Sequence, residues 1–350
     1  MPSQILHTLF GEDLIAGIDK RLERETLGGG QRRRKLTVLI EAHRSTFALG
    51  CQGPDIFYHN RHSRPVGLEY GTLLHRRGMG SFSSRLLELT LPNDHFKEHS
   101  PILAAYALGF MTHAFLDRST HPFIVYKSCR LPLGTQGPLS DARLHAFFER
   151  ILDVLMLKQL RGLDLASWDG EGLLAQTCRE ADAPLKVLLQ RALTLTFPER
   201  AGNDANLISR IENAFTDAVA FYHFSFTARS TRQLPVRKEA FAYLHPVDLP
   251  RGIDFLNEEK RTWCNPAPDG KEDSRSFLEV YAEALEAAVN SLFPVFSHYV
   301  ENACFLREDA ELAIGNGGLS ITDKNGKPAP PCRTEPLPLE EVLERQIRAF

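Results

Sequence analysis

Five side chains that commonly bind metal stand at helical spacing in the middle of this chain: His113-x3-Asp117-x3-His121, and about one helix later His145-x3-Glu149. Residues four apart on a helix are rotated by only about 40°, so each pair projects from one face. The trio and the pair can act together only if the fold sets two helices face to face, with those faces turned inward. Taken singly, such pairs are common among surface contacts and satisfied polar groups. Histidine fills only 13 of 350 positions, so five such residues in register are hard to draw by chance, and the pattern points to a buried polynuclear metal site.

The local sequence supports two helices. Ser100-Pro101 opens the first, and Gly109, one turn before His113, leaves room for a close approach by another helix. Pro122 disfavours the α conformation at His121, which predicts that the helix stops there and that the imidazole swings from its last turn. The second helix starts near Ser140, with His145 and Glu149 beside an apolar stripe of Leu144, Phe148, Ile151, Leu152 and Leu155. Upstream, Gly53-Pro54-Asp55-Ile56-Phe57-Tyr58 reads as a turn that delivers an aspartate among apolar neighbours, where a charge calls for a cation. His7 lies in the apolar run 5–10, and His75 ends another at 71–75.

These residues carry a resemblance. Over roughly residues 5 to 155 the chain resembles the zinc-dependent phospholipase C family, whose all-helical fold is shared with the single-strand-specific zinc nucleases of fungi. The resemblance implies a three-zinc cluster held by His7, Asp55, His75, His113, Asp117, His121, His145 and Glu149. Asp55, His75, His113 and Asp117 would share one zinc, His121, His145 and Glu149 a second, and His7 with a bridging Asp117 the third. Histidine and carboxylate ligands without cysteine suit catalytic zinc. The sequence departs from the family pattern in three ways: Asp117 and His121 are closer together, His59 and His62 compete with His75, whose apolar helical setting favours it, and the chain opens Met1-Pro2 where secreted members use the amine and carbonyl of a processed first residue, commonly tryptophan. Two or three zinc ions are therefore expected.

The activity implied is hydrolysis of a phosphate ester, most naturally a phosphodiester. Paired zinc ions would polarise the phosphoryl oxygen and lower the pKa of a water, Asp55 would orient or deprotonate that water, and a third ion would stabilise the leaving oxygen. A phospholipase would need an apolar rim and a nuclease or nucleotidase an aromatic platform, with Phe57, Tyr58 and Trp263 as candidates for either. A binding protein that keeps a metal-stabilised fold without turnover is the remaining alternative. Paired Glu-x2-His motifs of di-iron bundles and the zincin His-Glu-x2-His are absent.

Composition bounds the rest. At 43% hydrophobic and 24% charged, 350 residues describe an ordinary globular chain, and a net charge of −3 provides no global field for a large nucleic acid duplex. Arg32-Arg33-Arg34-Lys35 after Gly28-Gly29-Gly30 reads as a solvated loop and helix start. No leader pattern and no transmembrane run is found, and six cysteines lack C-x2-C spacing, so a cytoplasmic protein with reduced thiols is expected. The substrate partner expected is a small-molecule or lipid phosphate ester; the oligomeric state is left open.

Helices are predicted near 4–24, 34–49, 67–90, 101–119, 140–161, 181–195, 204–228 and 275–303, with almost no strand. In the 204–228 helix Ile208, Ile211, Phe215, Val219 and Tyr222 form the apolar stripe, and His223 reads as a core or interface histidine. The expected fold is all-α: a multi-helix domain over 1–304 with the metal cluster in a cleft between helices, and a C-terminal extension over 305–350. The extension's Gly315-Asn316-Gly317-Gly318, Asn325-Gly326 and 328–331 suit a small hairpin or mobile segment, followed by a closing helix near 339–349.

Overall fold

The computed structural model describes residues 3–26, 36–91, 99–133, 139–181, 183–231, 237–302 and 304–349. Its organising element is a 29-residue helix, Ser100–Ser128, that is buried on nearly every side. A helix apolar all round must be enclosed by others, and this one is. The helices in chain order are α1 (Gln4–Thr26), α2 (Leu36–Ala42), α3 (Arg44–Cys51), α4 (Leu68–Arg76), α5 (Met79–Leu89), the central α6 (Ser100–Ser128), α7 (Asp141–Arg161), α8 (Thr177–Glu180), α9 (Ala183–Thr196), α10 (Leu207–Thr227), α11 (Phe277–Asn302), α12 (Arg307–Ile314) and α13 (Leu339–Ala349). Helices α1, α3, α5, α7 and α11 surround α6. The one sheet among the described residues is the two-residue pairing of β1 (Trp263–Cys264) with β2 (Glu272–Asp273). The chain is all-α, as its periodicity predicts.

Two glycines let α3 and α6 pack backbone against backbone. A methyl group on Gly109 of α6 would lie 2.4 Å from the carbonyl oxygen of Phe47, and one on Gly50 of α3 2.2 Å from that of Tyr106. Backbone meets backbone there, which draws the chain after α3 close over α6. That chain is a 3-10 turn, Gly53–His59, carrying Asp55.

Distant carboxylates cap the helix starts. Asp19 of α1 accepts hydrogen bonds from the N–H groups of Leu36 and Thr37 at the start of α2. Asp153 of α7 does the same for α1, accepting from the N–H groups of Gln4, Ile5 and Leu6 and from the Ser3 hydroxyl. The first N–H groups of a helix have no partner within it, so a carboxylate there satisfies several donors and meets the positive end of the helix dipole. Asp153 also pairs with Arg150 at 3.1 Å and with His245 at 3.1 Å, all three buried.

Several expected boundaries shift. Pro122 does not end its helix: α6 runs through His121 and on to Ser128, because Phe123, Ile124, Val125 and Tyr126 are buried and their packing outweighs the proline penalty. The 67–90 helix is two, α4 and α5, separated at Gly78 with φ +77°. The 34–49 helix breaks at His43 into α2 and α3. The basic run at 32–35 and the glycines at 28–30 lie outside the described residues. Residues 318–329 form a small hairpin: Gly318 N–H bonds to Gly326, Asp323 to Lys327, and Ala329 to Ile321. The closing helix α13 packs on α7 and on the 3-10 turn Lys238–Tyr243.

Candidate metal centre

Five separate segments bring the candidate ligands together. α1 contributes His7, the 3-10 turn Asp55, α4 His75, α6 His113, Asp117 and His121, and α7 His145 and Glu149. Asp117 stands at the middle: its carboxylate lies 3.2 Å from His7 Nε2, 3.1 Å from His113 Nε2, and 3.7 Å from both His75 Nε2 and His121 Nδ1. Asp55 lies 3.0 Å from His75 Nε2 and 3.7 Å from His113 Nε2. Glu149 lies 3.3 Å from His145 Nε2 and 4.0 Å from His121 Nε2. Ligand atoms converge in three groups that could each hold an ion: His7 with Asp55 and His113, His75 with His113 and Asp117, and His121 with His145 and Glu149. The first two share His113 and are therefore contiguous, with the third a short step along α6 and α7.

The glycine before Asp55 is a condition of this geometry. Gly53 adopts φ +56°, and a methyl group there would lie 2.4 Å from Cγ of His113. The turn can therefore lie directly over the imidazole.

Backbone carbonyls set three of the rings. His75 Nδ1 bonds to the carbonyl of Gly71 at 2.8 Å, His113 Nδ1 to that of Cys51 at 3.1 Å, and His121 Nδ1 to those of Asp117 and Leu319, both at 3.0 Å. With the proton on Nδ1, each ring turns an Nε2 lone pair toward the carboxylates, the usual outer support of a metal-binding histidine. His7 stacks on His113 with centroids 4.2 Å apart, and His121 on His145 at 5.5 Å.

Burial and opposite charges compete over the ionisation of these groups. Burial works against an ionised Asp55, yet His113 and His75 hold its carboxyl down at about 2. Burial likewise opposes Asp117, and His113 with His121 holds it well below the ordinary carboxylate range. Burial disfavours a charged His113, but the carboxylates of Asp117 and Asp55 raise it to about 9. His7 is pushed down by burial and by its neighbour His113.

These residues fit zinc. His113 Nε2 and Asp117 Oδ2 are buried, 3.1 Å apart, and make no hydrogen bond. A nitrogen and a carboxylate oxygen buried this close are expensive unless a cation lies between them, either the proton that the carboxylates favour on His113 or a metal ion in its place. The donors are imidazole nitrogen and carboxylate oxygen with no thiolate, the mixed set of catalytic zinc.

The competing histidines lie elsewhere. His59 is buried against Phe221 and Tyr222, with both ring nitrogens lacking a hydrogen-bond partner. His62 lies in the loop that Asp217 holds through backbone N–H groups. His223, read as a core or interface histidine, is exposed and pairs with Glu171 at 3.2 Å. Of the three aromatic rim candidates, Phe57 and Trp263 are buried in the core, where Trp263 packs on Phe123 and donates its indole N–H to Arg275. Tyr58 is half-buried, its ring 4.6 Å from that of His75. A cleft of about 660 Å³ runs along α4 with Thr72, Arg76, Arg77 and Arg200 in its wall, and none of the eight candidate ligands lines it.

Asp153 and Leu319 were not singled out from the sequence. Asp153 continues the spacing His145-x3-Glu149-x3-Asp153, a signal that was present. Leu319 acts through its backbone, for which side-chain identity carries no signal.

No curated protein and no solved structure matches the chain. A family model described as zinc dependent phospholipase C matches residues 7–205, about fifty residues beyond the expected span and as far as the loop after α9. The match covers all eight converging residues and more than half of the sequence. The chain belongs to the zinc-dependent phospholipase C family.

Proposed function

We propose that the protein hydrolyses phosphodiesters, with zinc held by His7, Asp55, His75, His113, Asp117, His121, His145 and Glu149. The observation that carries the reading is Asp117, whose carboxylate reaches histidines of all the neighbouring groups within 3.7 Å, as a residue shared between closely spaced ions must. Zinc held by these residues would supply Lewis-acid polarisation of a phosphoryl oxygen and a water acidic enough to ionise near neutral pH.

The chain's own residues supply orientation and proton handling. Asp55, ionised at neutral pH because its carboxyl is held at about 2, accepts a hydrogen bond from the attacking water and aligns it. The Nδ1 contacts of His75, His113 and His121 keep the rings from turning. Tyr58 packs against His75, with ring centroids 4.6 Å apart, and offers an aromatic face to the part of the substrate beyond the reacting phosphate. A lipid or small-molecule phosphate ester suits a protein with net charge −3 better than a large nucleic acid duplex. The compartment proposed is the cytoplasm, supported by six cysteines that are all free. No helix among the described residues is long and apolar enough to cross a membrane.

The test is metal content per chain on protein purified without added metal, with turnover of a generic phosphodiester before chelation, after it, and after zinc return. Two or three zinc ions with chelator-sensitive, zinc-restored turnover support the reading. A panel of phospholipid and nucleotide esters then separates the substrate classes. Zinc without turnover on any ester favours the non-catalytic alternative, and a chain that binds no metal overturns the proposal.

A further inference from the structure

We propose that residues 311–319 form a clamp that positions the metal centre, acting through Leu319; the inference rests on the zinc reading above. The segment lies more than a hundred residues beyond the part of the chain that the family match covers, yet it touches two of the candidate ligands directly. Leu319 is buried, its N–H donates to the carbonyl of His75 at 2.9 Å, and its carbonyl accepts from His121 Nδ1 at 3.0 Å. One residue thus ties the end of α4 to the C-terminal third of α6. His75 is in the last turn of α4, where helix carbonyls have no partner within the helix, so the Leu319 N–H satisfies a group the helix itself leaves open. On the other side, Leu319 gives the His121 Nδ1 proton an acceptor outside α6, which fixes how far the ring swings toward Glu149.

The clamp is itself firmly rooted. The Arg118 guanidinium, one residue after Asp117, donates to the carbonyls of Ile314, Gly315, Gly317 and Gly318. The start of α5 is capped by the same segment: Gly78 N–H bonds to the Asn316 carbonyl at 3.2 Å, Gly80 N–H to that of Gly315 at 3.0 Å, and Ser81 N–H to the Asn316 side chain at 2.9 Å. Asn316 Nδ2 donates in turn to Ser81 Oγ at 3.0 Å and Glu311 Oε1 at 2.8 Å. Four elements, α4, α5, α6 and α12, therefore meet at these residues. Partners of metal-binding histidines that fix tautomer and ring angle typically change metal affinity tenfold to a hundredfold when lost. Here such a partner of the His121 ring comes from a part of the chain far from the ligand helices in sequence, and the same residue holds the main chain of His75.

Two full-length variants and one measurement on the unaltered protein test this. Gly315 adopts φ +73° and ψ 159°, a conformation open almost only to glycine, while a methyl group there meets nothing closer than Arg118 Nη1 at 3.9 Å. Gly315→Ala therefore displaces the clamp by backbone preference without a clash. Asn316→Ala removes only side-chain bonds and is the gentler change, kept for the case in which Gly315→Ala does not fold. Zinc affinity is read by competition with a chromogenic chelator, with circular dichroism as the control for folding. The expected result is a tenfold to hundredfold loss of affinity in at least one zinc site in folded variants. In the unaltered chain, thermodynamic reciprocity requires that zinc slow amide hydrogen exchange in 315–319 as well as in α4 and α6. Folded variants that bind zinc as the parent does, or zinc loading that protects the ligand helices while leaving 315–319 unchanged, would overturn the clamp and leave the zinc reading standing. A parent chain that binds no zinc would overturn both.

Discussion

Replacing Asp153 with asparagine isolates the link between α7 and the start of α1. The two carboxylate oxygens divide their partners evenly. Oδ1 accepts from the Ser3 hydroxyl and from the N–H groups of Ile5 and Leu6, and Oδ2 from Gln4 N–H, Arg150 Nη1 and His245 Nε2. Whichever oxygen becomes an amide nitrogen then faces three donors at hydrogen-bond distance, so no rotamer of asparagine satisfies the site. The substitution also removes the anion from a buried ion pair with Arg150, a change that costs about 3–5 kcal/mol, and weakens a helix cap, typically about 1 kcal/mol. These contributions overlap, and a total near 4 kcal/mol is expected for Asp153→Asn, measured by denaturant unfolding of the zinc-free protein. His7 lies one residue beyond the last capped N–H, so the loosened first turn is also expected to lower zinc occupancy at the group containing His7 while the group on α7 keeps its ion. A variant within about 1 kcal/mol of the parent, with the same zinc count, would refute the claim that Asp153 holds α1 in place.

Other expectations follow from the same geometry. Glu149→Gln removes the carboxylate from the group formed with His121 and His145, so elemental analysis should find one fewer zinc per chain with the other sites still loaded. Gly53→Ala forces a methyl group to within 2.4 Å of the His113 ring at φ +56°; a loss of about 1–3 kcal/mol is expected from the backbone alone, together with weaker zinc binding by titration. Asp217, whose carboxyl is held at about 2 against the opposing effect of burial by bonds from Ser63, His62 and Asn60, contributes stability that is present above the ordinary value of 3.8 and lost as pH falls through 2. Asp217→Asn should thus cost roughly 2 kcal/mol at pH 7, and the difference from the parent, followed by unfolding across pH, should vanish near pH 2.

Helical periodicity was enough to place most of the elements. The bounds of α1, α7, α10 and α11 lie within three residues of the apolar patterns that predict them, because each has one wet face and one dry face. α6 was misjudged for the opposite reason: buried nearly all round, it has no wet face to lose at Pro122, and tertiary packing decides where it stops. The candidate site was legible where chemistry lies in side chains at fixed spacing, and the eight residues picked out from such spacing or from the family pattern do converge. It was illegible where the partner is a backbone group. Nothing in the identity of Leu319, Cys51 or Gly71 announces a carbonyl aimed at an imidazole. The aromatic rim was misread because Phe57 and Trp263 are as useful to a core as to a rim, and only contacts distant in sequence tell the two apart.

The contact between Leu319 and the two histidines fixes an order of assembly. His121, His145 and Glu149 are close enough in sequence to meet as soon as α6 and α7 pair, whereas closing the bond from Leu319 to His75 spans more than 240 residues. Bringing distant segments together costs chain entropy that is recovered only once the intervening helices are in place. A chain growing from its N-terminus therefore carries its candidate ligands for the synthesis of some 170 further residues before their last support exists. A zinc ion captured early would be held by the local trio on α6 and α7, and the shared site around Asp117 would mature only when the C-terminal segment folds back.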